Sequence, residues 1–118
     1  MNNKPISKSI ELPEDEFYKT HMELINSILP VKLSIKEIEV LAIFMSFTGT
    51  LANDRFSTTG KKIVREKLNL SHQSLSNYIA SLTNKGFLIE KDNKLDLLPI
   101  LFPNNTEQTY LFRLKNVG

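Results

Sequence analysis

Residues 60–91, GKKIVREKLNLSHQSLSNYIASLTNKGFLIEK, follow Thr59 and decide the fold. Apolar side chains fall at Val64, Leu68, Leu70, Leu75, Tyr78, Ile79 and Leu82, so a helical period breaks at Leu68–Ser71 and restarts in a shifted phase. One helix ends there and another begins. Asn69 suits the bend because asparagine tolerates the left-handed backbone of a helix C-terminus, and Ser71 can accept from the free amides of the next first turn. The second helix runs to Lys85–Gly86, where glycine supplies the stop. Phe87–Ile89 and Leu95–Leu98 then read as two strands around the turn-like cluster Asp92-Asn93-Lys94.

Outward from this stretch, Ser34 and Glu37 form a capping box ahead of Ile35, Ile38, Val40, Leu41, Ile43, Phe44 and Phe47, a helix apolar over most of its circumference. Such a helix belongs at the centre of the core. Gly49 ends it, Thr50–Asp54 connect, and Arg55-Phe56-Ser57 reads as a brief strand before a helix capped by Thr58 or Thr59. Near the start, Pro5–Leu12 has an extended pattern. Pro13 then opens a helix whose first turn, Glu14-Asp15-Glu16, complements the helix dipole. Phe17, Leu24, Ile25, Ile28 and Leu29 recur along it with His21 on the same side, until Pro30. Thr109–Leu114 reads as a final strand.

Three pieces together resemble the winged helix-turn-helix superfamily, and within it the MarR-type regulators and the winged-helix proteins of phages and plasmids: Leu33-Ser34 with Glu37 and Val40-Leu41; Leu70-Ser71 with Leu75 and Ile79–Leu82; and Lys85–Leu88. The resemblance covers roughly residues 33–115. It implies an α+β fold: a three-helix core with a small antiparallel sheet, preceded by an N-terminal helix. One position departs from the pattern, since Arg65 stands where such motifs place a small residue. We divide the chain into an N-terminal extension, 1–32, and a winged-helix domain, 33–118.

At 118 residues and 41% hydrophobic, the chain suffices for one domain with a core but not for two. It holds no run of 18 apolar residues and no apolar signal core, so we expect a soluble cytoplasmic protein, of a bacterium or a phage-infected host, that does not enter a membrane. Twelve lysines against three arginines, with eleven asparagines, suit an AT-rich bacterial or phage genome. Zero cysteines remove disulfides, thiolate metal sites and a cysteine nucleophile. His21 and His72 have no carboxylate or nucleophile at motif spacing, the four glycines build no phosphate loop, and Glu37 and Glu39 fall on different helix faces. We therefore expect no catalysis, no cofactor and no metal.

Charge is distributed unevenly. Residues 55–91 hold seven basic side chains against Glu66 and Glu90, a surplus of five, so the rest of a chain of net charge +2 is net −3. On the 71–85 helix the buried stripe leaves His72, Gln73, Ser76 and Asn77 facing outward, and these are the candidate base contacts in a major groove. Lys61, Lys62, Arg65, Lys85 and Lys94 are the candidate phosphate contacts. The expected partner is double-stranded DNA, read sequence-specifically by a small transcriptional or replication regulator.

A second reading stays open. Leu97–Pro103 carries no charge, whereas a DNA-tracking wing normally offers Arg or Lys. Its side chains either fold under the sheet or mark a protein partner at an apolar wing. On that reading the chain is a protein-docking or structural module, such as a virion or polymerase-associated component, with Ile100, Leu101 and Phe102 as interface candidates. Phe17, Leu24 and Ile28 on the N-terminal helix are the others, packed on their own domain or forming a homodimer.

Overall fold

The computed structural model describes residues 8–104 and 107–118, the side chain of Asp15 excepted. Among them are five α-helices, α1 (Glu14–Asn26), α2 (Ile35–Ser46), α3 (Thr50–Asn53), α4 (Thr58–Leu68) and α5 (His72–Asn84). A two-stranded sheet follows, β1 (Leu88–Lys91) and β2 (Lys94–Leu97), and then a 3-10 turn at Pro99–Leu101. The result is a small α+β domain.

Helix α2 is the axis of the core. Val40, Leu41, Phe44 and Met45 are buried, Phe44 stacks on Phe56 with ring centroids 4.1 Å apart, and Phe47 meets Phe44 edge-on at 5.8 Å. The start of α2 is fixed by the expected capping box: the Glu37 amide donates to Ser34 Oγ at 3.2 Å, and the Ser34 amide donates to Glu37 Oε1 at 2.8 Å. Helix α1 packs along α2 and contributes Met22 to the same core. It stops at Asn26, earlier than Pro30, because Asn26 turns to the next segment: its side chain accepts from the Leu33 amide at 2.8 Å and donates to the Leu33 carbonyl at 3.2 Å. Lys32 Nζ then caps the helix end, donating to the carbonyls of Asn26 and Ser27 at 2.9 and 2.8 Å.

The α4–α5 junction forms as its residues require. Asn69 adopts the left-handed conformation (φ 53°) and Ser71 Oγ accepts from the Ser74 amide at 3.0 Å. Gly86 (φ 87°) ends α5, and β1 begins two residues later. The strands pair antiparallel from Leu88 opposite Leu97 to Lys91 opposite Lys94, across Asp92 and Asn93, both at positive φ as a tight two-residue hairpin needs. The cap of α4 is Ser57, accepting from the Gly60 amide at 3.1 Å, rather than Thr58 or Thr59. Gly60 is the close-approach residue of this helix: a Cβ there would stand 2.0 Å from the Arg55 carbonyl oxygen.

Two expected strands are absent. Residues 55–57 run in successive turns, with the Ser57 amide donating to the Asp54 carbonyl at 3.2 Å and Arg55 Nη1 reaching back to the Ala52 carbonyl at 3.1 Å. Residues 109–114 carry no strand either, and Tyr110 is held by the His21 side chain of α1. Residues 8–12 lack regular structure, while residues 5–7 of that expected extended segment lie outside the described residues.

Candidate nucleic-acid interface

Helix α5 buries Leu75 and Leu82 against the core with Tyr78 and Ile79 half-buried, which turns its opposite face to solvent. His72, Gln73, Ser76 and Asn77 are all exposed on the first two turns. Gln73 Nε2 donates to Asn77 Oδ1 at 3.0 Å, one helical turn along, so the two amides are aligned and their remaining donors and acceptors point outward. Amide groups in that arrangement can donate to and accept from adenine in one plane.

The basic residues divide into two groups. Lys61 and Arg65 are half-buried on α4 and Lys62 is exposed there. Lys94, at the start of β2, is exposed and stands 3.9 Å from Asp54 Oδ2. Lys61 and Lys94 meet across one open cleft of about 480 Å³, walled by Ser57, Thr58 and Asn93 as well as Asp54. Sequence spacing does not bring Ser57, Thr58 and Lys61 to Asn93 and Lys94, since only the fold sets the hairpin turn against the start of α4.

Lys85 differs from the others. Its ammonium lies 2.7 Å from Glu37 Oε1 and donates to the Lys32 carbonyl at 3.0 Å. Glu37 is 3% exposed and also accepts from Ser81 Oγ at 2.7 Å. Burial pushes this carboxyl upward, but the Lys85 ammonium and the Ser34 and Ser81 donors outweigh it and hold it at about 2. The charge of Lys85 is thus neutralised inside the domain, whereas the sequence reading offered it to a phosphate.

Among the apolar candidates, Leu101 is buried and Phe102 half-buried beneath the Arg55 guanidinium, 4.9 Å from the ring centroid. Burial lowers the Arg55 pKa, and its Nε is buried without a hydrogen-bond partner. Ile100 points outward, 84% exposed. On α1, Phe17 is half-buried with its ring edge-on to Tyr18 and Leu24 is exposed, while Ile28 is exposed in the turn beyond the end of the helix.

His21, on the apolar side of α1, has partners that sequence spacing does not reveal. It is buried, and its Nε2–H donates to the Leu101 carbonyl at 2.7 Å. A carbonyl only accepts, so Nδ1 keeps its lone pair and accepts a hydrogen bond from the Tyr110 hydroxyl. Burial holds the His21 pKa below its usual 6.5 despite the Leu101 carbonyl, and raises that of Tyr110.

Among the described residues no cluster of three or more His, Cys, Asp or Glu side chains gathers as a metal set, and no helix is long and apolar enough to cross a membrane. Comparisons of the chain with protein-family models, with curated proteins and with solved structures found no match.

Proposed function

We propose that this chain is a sequence-specific double-stranded DNA-binding protein, a small transcriptional or replication regulator of bacterial or phage origin acting in the cytoplasm. On this reading α2, α4 and α5 are the three helices of a winged helix-turn-helix and the β1–β2 hairpin is its wing. The observation that carries it is the start of α5: four polar, uncharged side chains exposed on one face, beside a helix bearing Lys61, Lys62 and Arg65. Such a face reads bases by hydrogen bonding while neighbouring cations hold the phosphate backbone. The reading gives the chain no catalytic step.

The test is a binding titration after selection of a preferred duplex from a random pool, at about 50 and about 200 mM salt, where phosphate contacts produce a large loss of affinity. Gln73→Ala and Asn77→Ala are expected to cost about 1 to 3 kcal/mol on the selected site and little on random DNA. Lys62→Ala weakens all sequences alike and reduces the salt slope by about one. Equal, sequence-blind losses in both classes would remove the base-reading assignment.

One observation favours a second reading, a winged-helix docking module in a virion or a polymerase-associated complex. Ile100 stands outward, 84% exposed, in the middle of an apolar segment whose Leu97 and Leu101 are buried. Failure to bind any duplex at either salt concentration would give that reading precedence.

A further inference from the structure

The bond between Gln73 and Asn77 on the exposed face of α5 divides the hydrogen-bonding capacity of the two amides. Gln73 Nε2 gives one of its hydrogens to Asn77 Oδ1 at 3.0 Å. What Gln73 keeps is one N–H donor and the Oε1 acceptor, side by side on a planar amide. That pattern is complementary to the major-groove edge of adenine, where N6–H donates and N7 accepts. Guanine presents acceptors alone there, and cytosine a donor alone.

The surroundings of the pair point to the same base pairs. Ser71 Oγ does not compete for Gln73, because it accepts from the Ser74 amide at 3.0 Å and donates to the Ser74 hydroxyl at 2.9 Å. From His72 to Asn84 the sequence of α5 has no Lys, Arg, Asp or Glu. Arg and Lys are the side chains that most often read guanine, through O6 and N7, and Asp and Glu are those that accept from cytosine N4. Helix α5 brings none of them to a base edge. At helical spacing after Gln73 and Asn77 comes Ala80, also exposed. Its methyl is the kind of group that packs against the 5-methyl of thymine. Two amides and a methyl along one stripe match A·T pairs and offer G·C pairs little.

We propose that α5 reads A·T base pairs, with Gln73 bonded to one adenine and Asn77 holding the Gln73 amide in the orientation that this bond requires. The inference rests on the DNA reading above and specifies its target. Asn77 acts at that base pair as a positioning residue: its Oδ1 can only accept, so it fixes which end of the Gln73 amide carries the donor. A glutamine free to turn over would present donor and acceptor in either order, and adenine would lose its advantage.

The experiment is selection of duplexes from a random pool by the full chain, followed by titrations of the selected site with each base pair in turn at every position. The selected sites are expected to share A·T pairs, one of which changes when selection is repeated with Gln73→Glu. A glutamate only accepts, so the preference there moves from adenine to cytosine on the same strand. In the parent, adenine at that pair is expected to be favoured by about 10- to 100-fold over the other bases. Asn77→Ala is expected to lose most of that preference. Asn77→Asp is expected to retain it, since a carboxylate still accepts from Gln73, while its charge weakens binding to all sequences alike. The substituted positions are exposed, and the helical circular dichroism of each variant is expected to match the parent. Failure to select any duplex would remove the DNA reading and this inference with it. Guanine or cytosine at the pair that answers to Gln73→Glu, or no pair that answers, would overturn the adenine assignment and leave DNA binding standing. An Asn77→Ala variant that keeps the full preference, or an Asn77→Asp variant that loses it, would overturn the positioning role.

Discussion

Glu37 illustrates how much one side chain can carry in a domain this small. It caps α2 through Ser34, fixes the last turns of α5 through Ser81 and Lys85, and does so as a carboxylate almost wholly withdrawn from water. A buried ion pair of this kind adds little over an apolar pair of the same shape, but removing one partner leaves a charge stranded. Lys85→Met is accordingly expected to destabilise the domain by about 3 kcal/mol, measured by urea unfolding. The sign of the pH dependence follows from the direction of the shift. Glu37 is held below its usual 4.5, so its contribution is complete above that value and fades as pH falls toward about 2. Any loss of DNA binding by a Lys85 variant therefore has to be separated from loss of fold.

At the scale of elements, the 3-10 turn after β2 separates two neighbouring side chains by direction alone. Leu101 packs inward and Ile100 outward. Leu101→Asp is expected to unfold the chain, because a carboxylate would enter the core, whereas Ile100→Asp leaves thermal stability within about 0.5 kcal/mol of the parent, as surface substitutions do. If Leu101→Asp stays folded by circular dichroism, the segment is not part of the core. The sequence could not rank these two residues, since a non-helical apolar run has no period to say which side faces in. Where the determinant is local, reading was sufficient: Asn69 at the bend, Ser71 at the cap, the Ser34–Glu37 box and Gly86 at the stop each act through atoms within a few residues. Strands at 55–57 and 109–114 are not formed because a strand is a property of a pair, which the apolar pattern of one segment does not specify: residues 54–57 turn on themselves and Tyr110 binds His21. The exposure of His72, Gln73, Ser76 and Asn77 was legible from the apolar stripe of α5. The engagement of Lys85 was not, since its carboxylate partner lies 48 residues away.

Across the whole molecule, the ends of the described fold are joined at His21, where α1, the turn after β2 and the C-terminal segment converge on one imidazole. Burial keeps this ring neutral in the folded chain, with its pKa below the 6.5 of a free imidazole. Its share of stability is therefore present above 6.5 and is lost as pH falls through that value, because the unfolded chain takes up the proton first. His21→Gln is expected to flatten the decline of melting temperature over about pH 6.5 to 5. An unchanged slope would show that the histidine does not sense acid.

The clamp made by Lys85 has a further consequence, for the order in which the chain folds. It joins α5 to Glu37, 48 residues earlier, and to the Lys32 carbonyl, 53 residues earlier. Contacts across loops of that length form only after the entropy of closing them has been met by nearer ones, whereas the caps of α2, α4 and α5 close over three residues. The clamp is thus expected to form late, after the transition state. Its removal is expected to leave the refolding rate nearly untouched and to appear almost entirely as faster unfolding, so that Lys85 governs how long the native chain persists rather than how quickly it is reached.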